Sequence, residues 1–311
     1  MKENIVRAFI ISAVMMLTGC AGMWNASGPD IAAGTGSANT SESEDTLVPG
    51  LYDKDGKPIP SKEEVILDPD WDYADLSVIN TGAAMLYRAK EDRKNITVGV
   101  NAGHGTIGGE TVKTYCHPDK TPKITKGSNP AGSLKAVAVS GGMVFADGAT
   151  ESEVALAASN MLCDKLLAEG YDVLMLRDDE DEQLDNVART VIANNKADCL
   201  VSLHWDGDNL KYDKGCFYIP IPDEIKEMEP VASYWQEHER LGSSLIEALQ
   251  NNNCKLYTGR IDPLELTQTC YSTIPSVVIE LGNAASSHTD ADLDRITDAL
   301  LEGVDTFFND H

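Results

Sequence analysis

Basic residues are scarce in this chain: 25 lysines and arginines stand against 50 aspartates and glutamates, a formal charge of −25 over 311 residues. That balance excludes nucleic acid, or any other polyanion, as a partner held by charge. Two short hydrolase signatures are also missing, since the sequence has no His-Glu-x-x-His and no Gly-x-Ser-x-Gly. It has no Cys-x-x-Cys pair, so a structural zinc knuckle is not indicated. No internal repeat is visible, and no apolar run reaches the ~20 residues that cross a bilayer as a helix.

What is present begins at the N-terminus. Lys2 and Arg7 precede an apolar run from Ala8 to Leu17, which ends in Leu17-Thr18-Gly19-Cys20. A short apolar run behind basic residues reads as an export signal over residues 1–19. The Leu-Thr-Gly-Cys ending resembles a bacterial lipobox, which implies that Cys20 is lipidated and anchors the chain on the outer side of the cell envelope. Residues 20–75 are rich in Gly, Ser, Thr, Asn, Asp and Pro, and read as a flexible tether. The globular domain is then expected over 76–311. Outside the cytosol the six remaining cysteines could pair. Cys163 and Cys199 lie in apolar stretches as buried thiols, leaving Cys254 with Cys270, or Cys116 with Cys216, as possible bridges.

Strands and helices alternate from there. Strands are expected at 95–101, 172–176, 199–204, 215–221 and 274–281, and helices at 150–170, 185–196, 231–251 and 289–308. The pattern indicates a single α/β domain with a mainly parallel, twisted sheet and helices on both faces. Ligands bind such sheets at the carboxyl ends of the strands. His104 follows the first of these strands, His204 ends the apolar strand after Cys199, and Glu280 ends the last. Each has a plainer reading alone: a surface histidine, a satisfied core histidine, a carboxylate in an ion pair. Two histidines at neighbouring strand ends favour a metal, because neutral imidazole suits zinc. A catalytic zinc takes three protein ligands and keeps one position open. Helix phase supplies the third: Glu151 lies on the stripe of Ala155, Ala158, Leu162 and Leu166, whereas Glu153 falls on the opposite side with Asn160 and Asp164. Glu280, after Val277-Val278-Ile279, has the burial expected of a general base.

Several blocks, in order, resemble the zinc-dependent N-acetylmuramoyl-L-alanine amidases over roughly residues 95–308. They are Asn101-Ala-Gly-His-Gly105, Glu151 with Leu156, Gly170–Arg177, Arg189 with Ala193-Asn194, Ser202-Leu-His204 and Ile274–Gly282. The resemblance implies zinc held by His104, Glu151 and His204, with Glu280 as the catalytic carboxylate. It implies peptidoglycan as the substrate, cut between the lactyl group of N-acetylmuramic acid and L-alanine. The chain departs from the family in three places. Forty-six residues separate His104 from Glu151, an insertion (about 106–149) expected to border the cleft. Trp205 stands where the family has a small residue, offering a stacking surface or a narrowed cleft. Asn283-Ala-Ala-Ser286 follows Gly282. Asp206 or Asn194 could orient a ligand histidine. The acidic stretch 223–229 reads as a solvated loop, with plugging of the cleft as the alternative. Another zinc peptidase or deacetylase of the wall, or a non-catalytic peptidoglycan-binding lipoprotein, are the competing functions.

Overall fold

The computed structural model describes residues 47–309 apart from 53 and 128; the export signal and Cys20 lie outside the described residues. A two-stranded antiparallel ribbon comes first, β1 (Leu47–Tyr52) with β2 (Pro58–Pro60). Seven further strands form the central sheet: β3 (Lys62–Val65), β4 (Ala84–Tyr87), β5 (Thr97–Ala102), β8 (Asp172–Met175), β9 (Cys199–Asp206), β10 (Phe217–Tyr218) and β11 (Ser276–Asn283). Their order is β10-β11-β9-β5-β8-β4-β3. The middle four run parallel, while β10, β4 and β3 are antiparallel to their neighbours. Between β5 and β8 the insertion contributes a small antiparallel pair, β6 (Lys113–Tyr115) with β7 (Lys135–Val137).

Five helices cover the sheet: α1 (Glu151–Ala168), α2 (Asn186–Lys196), α3 (Val231–Asn251), α4 (Thr267–Cys270) and α5 (Asp290–Asn309). Alternation along the parallel strands sorts the core into two layers. Val98, Val100, Val173, Met175 and Val201 face α1, α3 and α5, whereas Leu174, Leu176 and Leu200 face Ala188 and Ile192 of α2. The terminal helix buries Leu293, Ile296, Leu300, Val304 and Phe307, the stripe its spacing calls for.

Three expectations are corrected. The ordered domain starts before residue 76, because β3 joins the central sheet and Val65, Leu67 and Trp71 pack into its core. The segment reads as a tether because an edge strand carries charge outward: Lys62, Glu63 and Glu64 are exposed and only Val65 is buried. The strand expected over 215–221 shrinks to Phe217–Tyr218 at the opposite edge, since Pro220 and Pro222 have no N–H to extend a ladder. Among the described residues no bridge forms: Cys116, Cys163, Cys199, Cys216, Cys254 and Cys270 are all free and buried.

Candidate metal centre

The carboxyl ends of β5 and β9 and the first turn of α1 meet at one point. Thr150 caps α1 through its side chain and Glu153 closes the reciprocal capping box, so Glu153 stays outside. Glu151, one residue into the helix, is turned inward and only 3% exposed. His104 Nε2 lies 2.7 Å from Glu151 Oε1. His204 Nδ1 lies 3.0 Å from the same oxygen and 3.1 Å from His104 Nε2. Two imidazole nitrogens and a carboxylate oxygen thus point at a common centre, a donor set suited to zinc.

Neighbouring groups fix the orientation of these donors. His104 Nδ1 lies 2.7 Å from the Ser140 carbonyl, which can only accept; the proton therefore sits on Nδ1 and the Nε2 lone pair faces the centre. Glu151 Oε2 accepts from the Met143 backbone N–H at 2.9 Å, and its Oε1 accepts from the Trp205 N–H at 3.1 Å. Two glycines make room. A Cβ on Gly103 would lie 2.4 Å from the His204 ring. At Gly142, with φ +81, a Cβ would lie 2.8 Å from the His104 ring and 3.0 Å from Glu151 Oε2. Beneath the centre, buried Arg189 donates to the carbonyls of Ala102 and His104, and buried Arg177 to those of Ala102 and Gly103. Together they hold the loop in which His104 adopts a left-handed φ of 65.

Electrostatics follow from burial and crowding. Burial acts to raise the Glu151 carboxyl, but hydrogen bonds and charge from His104 and His204 carry it well below the usual carboxylate range. Burial lowers the His204 imidazole, which keeps it in the neutral form that binds metal. Glu280 pairs in register with His204 on the adjacent strand. Its Oε2 is buried and finds no hydrogen-bond partner among the described residues. Burial first, then the charges of Glu151, Asp206 and Asp208, push its carboxyl well above the ordinary value, against the opposing charge of Lys214.

A cleft of about 520 Å³ opens over the centre, lined by His104, Glu151, His204 and Glu280. The insertion borders it through Glu110, Lys123, Ser140 and Met143, and residues 264–268 form another wall. The acidic stretch 223–229 contributes no lining residue. Of the three proposed auxiliary residues, Trp205 and Asp206 line the cleft and Asn194 does not. Trp205 is 1% exposed and packs edge-on against Phe145, so its ring is core and its link to the centre is through the backbone N–H. Asp206 pairs with Lys214. Asn194 donates to the Tyr271 carbonyl and accepts from the Thr273 N–H. Neither touches a histidine; Ser140 does that work for His104. Sequence reasoning missed Ser140 and Met143 because both act through backbone atoms, which carry no residue signature.

A parallel α/β sheet whose strand ends bring two histidines to a carboxylate in the first turn of a helix, with a second carboxyl beside them, is the arrangement of a hydrolytic centre. Residues 98–304 match the family profile described as N-acetylmuramoyl-L-alanine amidase. The chain belongs to that family and is an amidohydrolase of the peptidoglycan cell wall. Its fold is similar to the N-acetylmuramyl-L-alanine amidase Ami1 of Mycobacterium smegmatis, at 16% identity and a TM-score of 0.57, over 70% of this chain and 98% of the other. It is likewise similar to Ami1 of Mycobacterium abscessus, at 17% identity and a TM-score of 0.55, over 69% and 99% of the two chains. The amidase AmiC2 of Nostoc punctiforme aligns at 16% identity and a TM-score of 0.50, over 70% and 99%. Comparison with curated proteins gives no match.

Proposed function

We propose that the chain is a zinc-dependent amidase that cuts the lactyl amide between N-acetylmuramic acid and L-alanine, with zinc held by His104, Glu151 and His204. The observation that carries this reading is Glu280: a carboxyl with an orphaned buried oxygen, level with a donor histidine and lining the same cleft. A bound zinc supplies Lewis acidity, polarising a carbonyl and making water a stronger acid. Glu280 takes the proton from the attacking water and returns it to the departing alanine nitrogen. His204, kept neutral by burial, and His104, oriented by Ser140, keep lone pairs available for binding. Glu151, held ionised, supplies the negative charge of the donor set. Replacing Glu280 by Gln should cut hydrolysis of purified peptidoglycan on the order of 10²- to 10⁴-fold with bound metal unchanged. His104→Ala should lose the metal as well. Mass spectrometry of the digest should find free L-alanine amino termini, and full activity in the Gln variant would refute the role of Glu280.

The lipid anchor belongs to the same proposal. The Leu17-Thr18-Gly19-Cys20 motif supports export and acylation of Cys20, placing the enzyme on the outer face of the membrane, within reach of the wall. Cys20→Ala should move the protein from the membrane to the soluble fraction of fractionated cells. Unchanged membrane association would rule the anchor out.

A further inference from the structure

We propose that Lys123 is a specificity residue of the cleft that binds a carboxylate of the peptide released by cleavage; the assignment rests on the amidase reading above. Lys123 belongs to the insertion, is 5% exposed and lines the cleft beside the metal donors and Glu280. Its ammonium makes no ion pair or side-chain hydrogen bond among the described residues. A cation walled in on most sides and without an ion-pair partner favours an anion that reaches it from the cleft.

Glu265, an acid lining the same cleft, is not that partner. Glu265 already accepts from the Ile124 N–H at 2.9 Å, from the Thr125 N–H and hydroxyl at 2.6 Å each, and faces His117 Nε2 at 3.1 Å. Both of its oxygens are engaged there, and it makes no ion pair with Lys123. No other lysine or arginine lines the cleft among the described residues, whereas Glu110, Glu151, Asp206, Glu265 and Glu280 do. Away from the metal donors, a substrate carboxylate entering so acidic a cleft meets one cationic side chain among the described residues. Its position is prepared in advance. The Lys123 backbone is pinned on both sides, its N–H donating to the Ser133 carbonyl at 2.9 Å and its carbonyl accepting from the Gly132 N–H at 2.6 Å. Gly127 leaves space at the ammonium, where a Cβ would lie 3.1 Å from Nζ. A fixed cation in a walled cleft binds an anion with little ordering cost.

The ligand class follows from the substrate. A stem peptide carries carboxylates along its length and at its end, while the glycan side of the scissile amide is largely neutral. Lys123 therefore reads the peptide, and the carboxylate it meets can be internal or terminal.

The test compares zinc-loaded wild-type protein on four synthetic muropeptides: the parent, one amidated at the second-residue α-carboxyl, one amidated at the C-terminus, and one amidated at both. One single amidation should lower kcat/KM on the order of 10- to 100-fold, and it identifies the carboxylate. Lys123→Met, which keeps the length of the side chain, should show the same loss on the parent and no further loss on the sensitive amidated substrate. Lys123→Arg should recover most of the parent activity. Equal rates of the wild-type protein on all four substrates overturn the proposal, as does an equal loss on all four in Lys123→Met. The wild-type series decides the matter if the Met variant does not fold. A wild-type protein inert on all four removes the amidase reading itself, a different failure from indifference to amidation.

Discussion

Gly142 shows how little freedom the metal centre leaves its neighbours. With φ +81 and two donors within 3.0 Å of where a Cβ would stand, it admits no other residue without a shift of His104 or Glu151. Gly142→Ala should weaken metal binding about 10- to 100-fold while leaving the far-ultraviolet circular dichroism unchanged, as competition with a chelating dye would measure; wild-type affinity would show that the loop yields freely. That His104, Glu151, His204 and Glu280 come together on one cleft was legible in the sequence, because each is a chemically distinct side chain at a strand or helix end. Trp205 was read as a departure at the cleft, yet period-two alternation places it on the face opposite His204, where Phe145 receives it. Residues that act through backbone groups, Ser140 and Met143, left nothing to read.

Helices were the most legible elements. The α3 boundaries fall where the spacing places them, and α1 starts one residue after its cap, with Glu151 inward and Glu153 outward as helix phase requires. Antiparallel edge strands were harder, because charge on β3 and prolines after β10 imitate loops. On α3, His238 is 2% exposed, and its Nδ1 accepts from the Ser276 N–H at 2.9 Å. Burial pushes its imidazole down to about 4 from an ordinary 6.5. Above pH 6.5 the group is neutral in folded and unfolded chains alike. As pH falls from 6.5 to 4, the unfolded chain takes up a proton that the folded chain refuses, and stability drops by roughly 3 kcal/mol. Below the folded value the loss is complete. Urea unfolding of metal-free protein should show this fall, with the gap between wild type and His238→Gln narrowing towards pH 4. Parallel pH profiles for the two proteins would contradict the assignment.

For the molecule as a whole, the parallel centre of the sheet was foreseeable from alternating strands and helices, while the extent of the domain was not. A chain beginning at residue 76 loses β3 and with it the burial of Val65, worth about 2 kcal/mol, before Leu67 and Trp71 are counted. Thermal denaturation should place its midpoint clearly below that of a chain beginning at residue 43. Equal midpoints would return residues 43–75 to the tether. The six described cysteines also act collectively. All are buried, and burial raises every one of their thiols, to about 12 at Cys163 and Cys216. In the folded chain these six thiols are therefore nearly invisible to maleimides, whereas each opened molecule presents all six at once. Alkylation then becomes a clock, and its rate at neutral pH counts how often the whole structure comes apart.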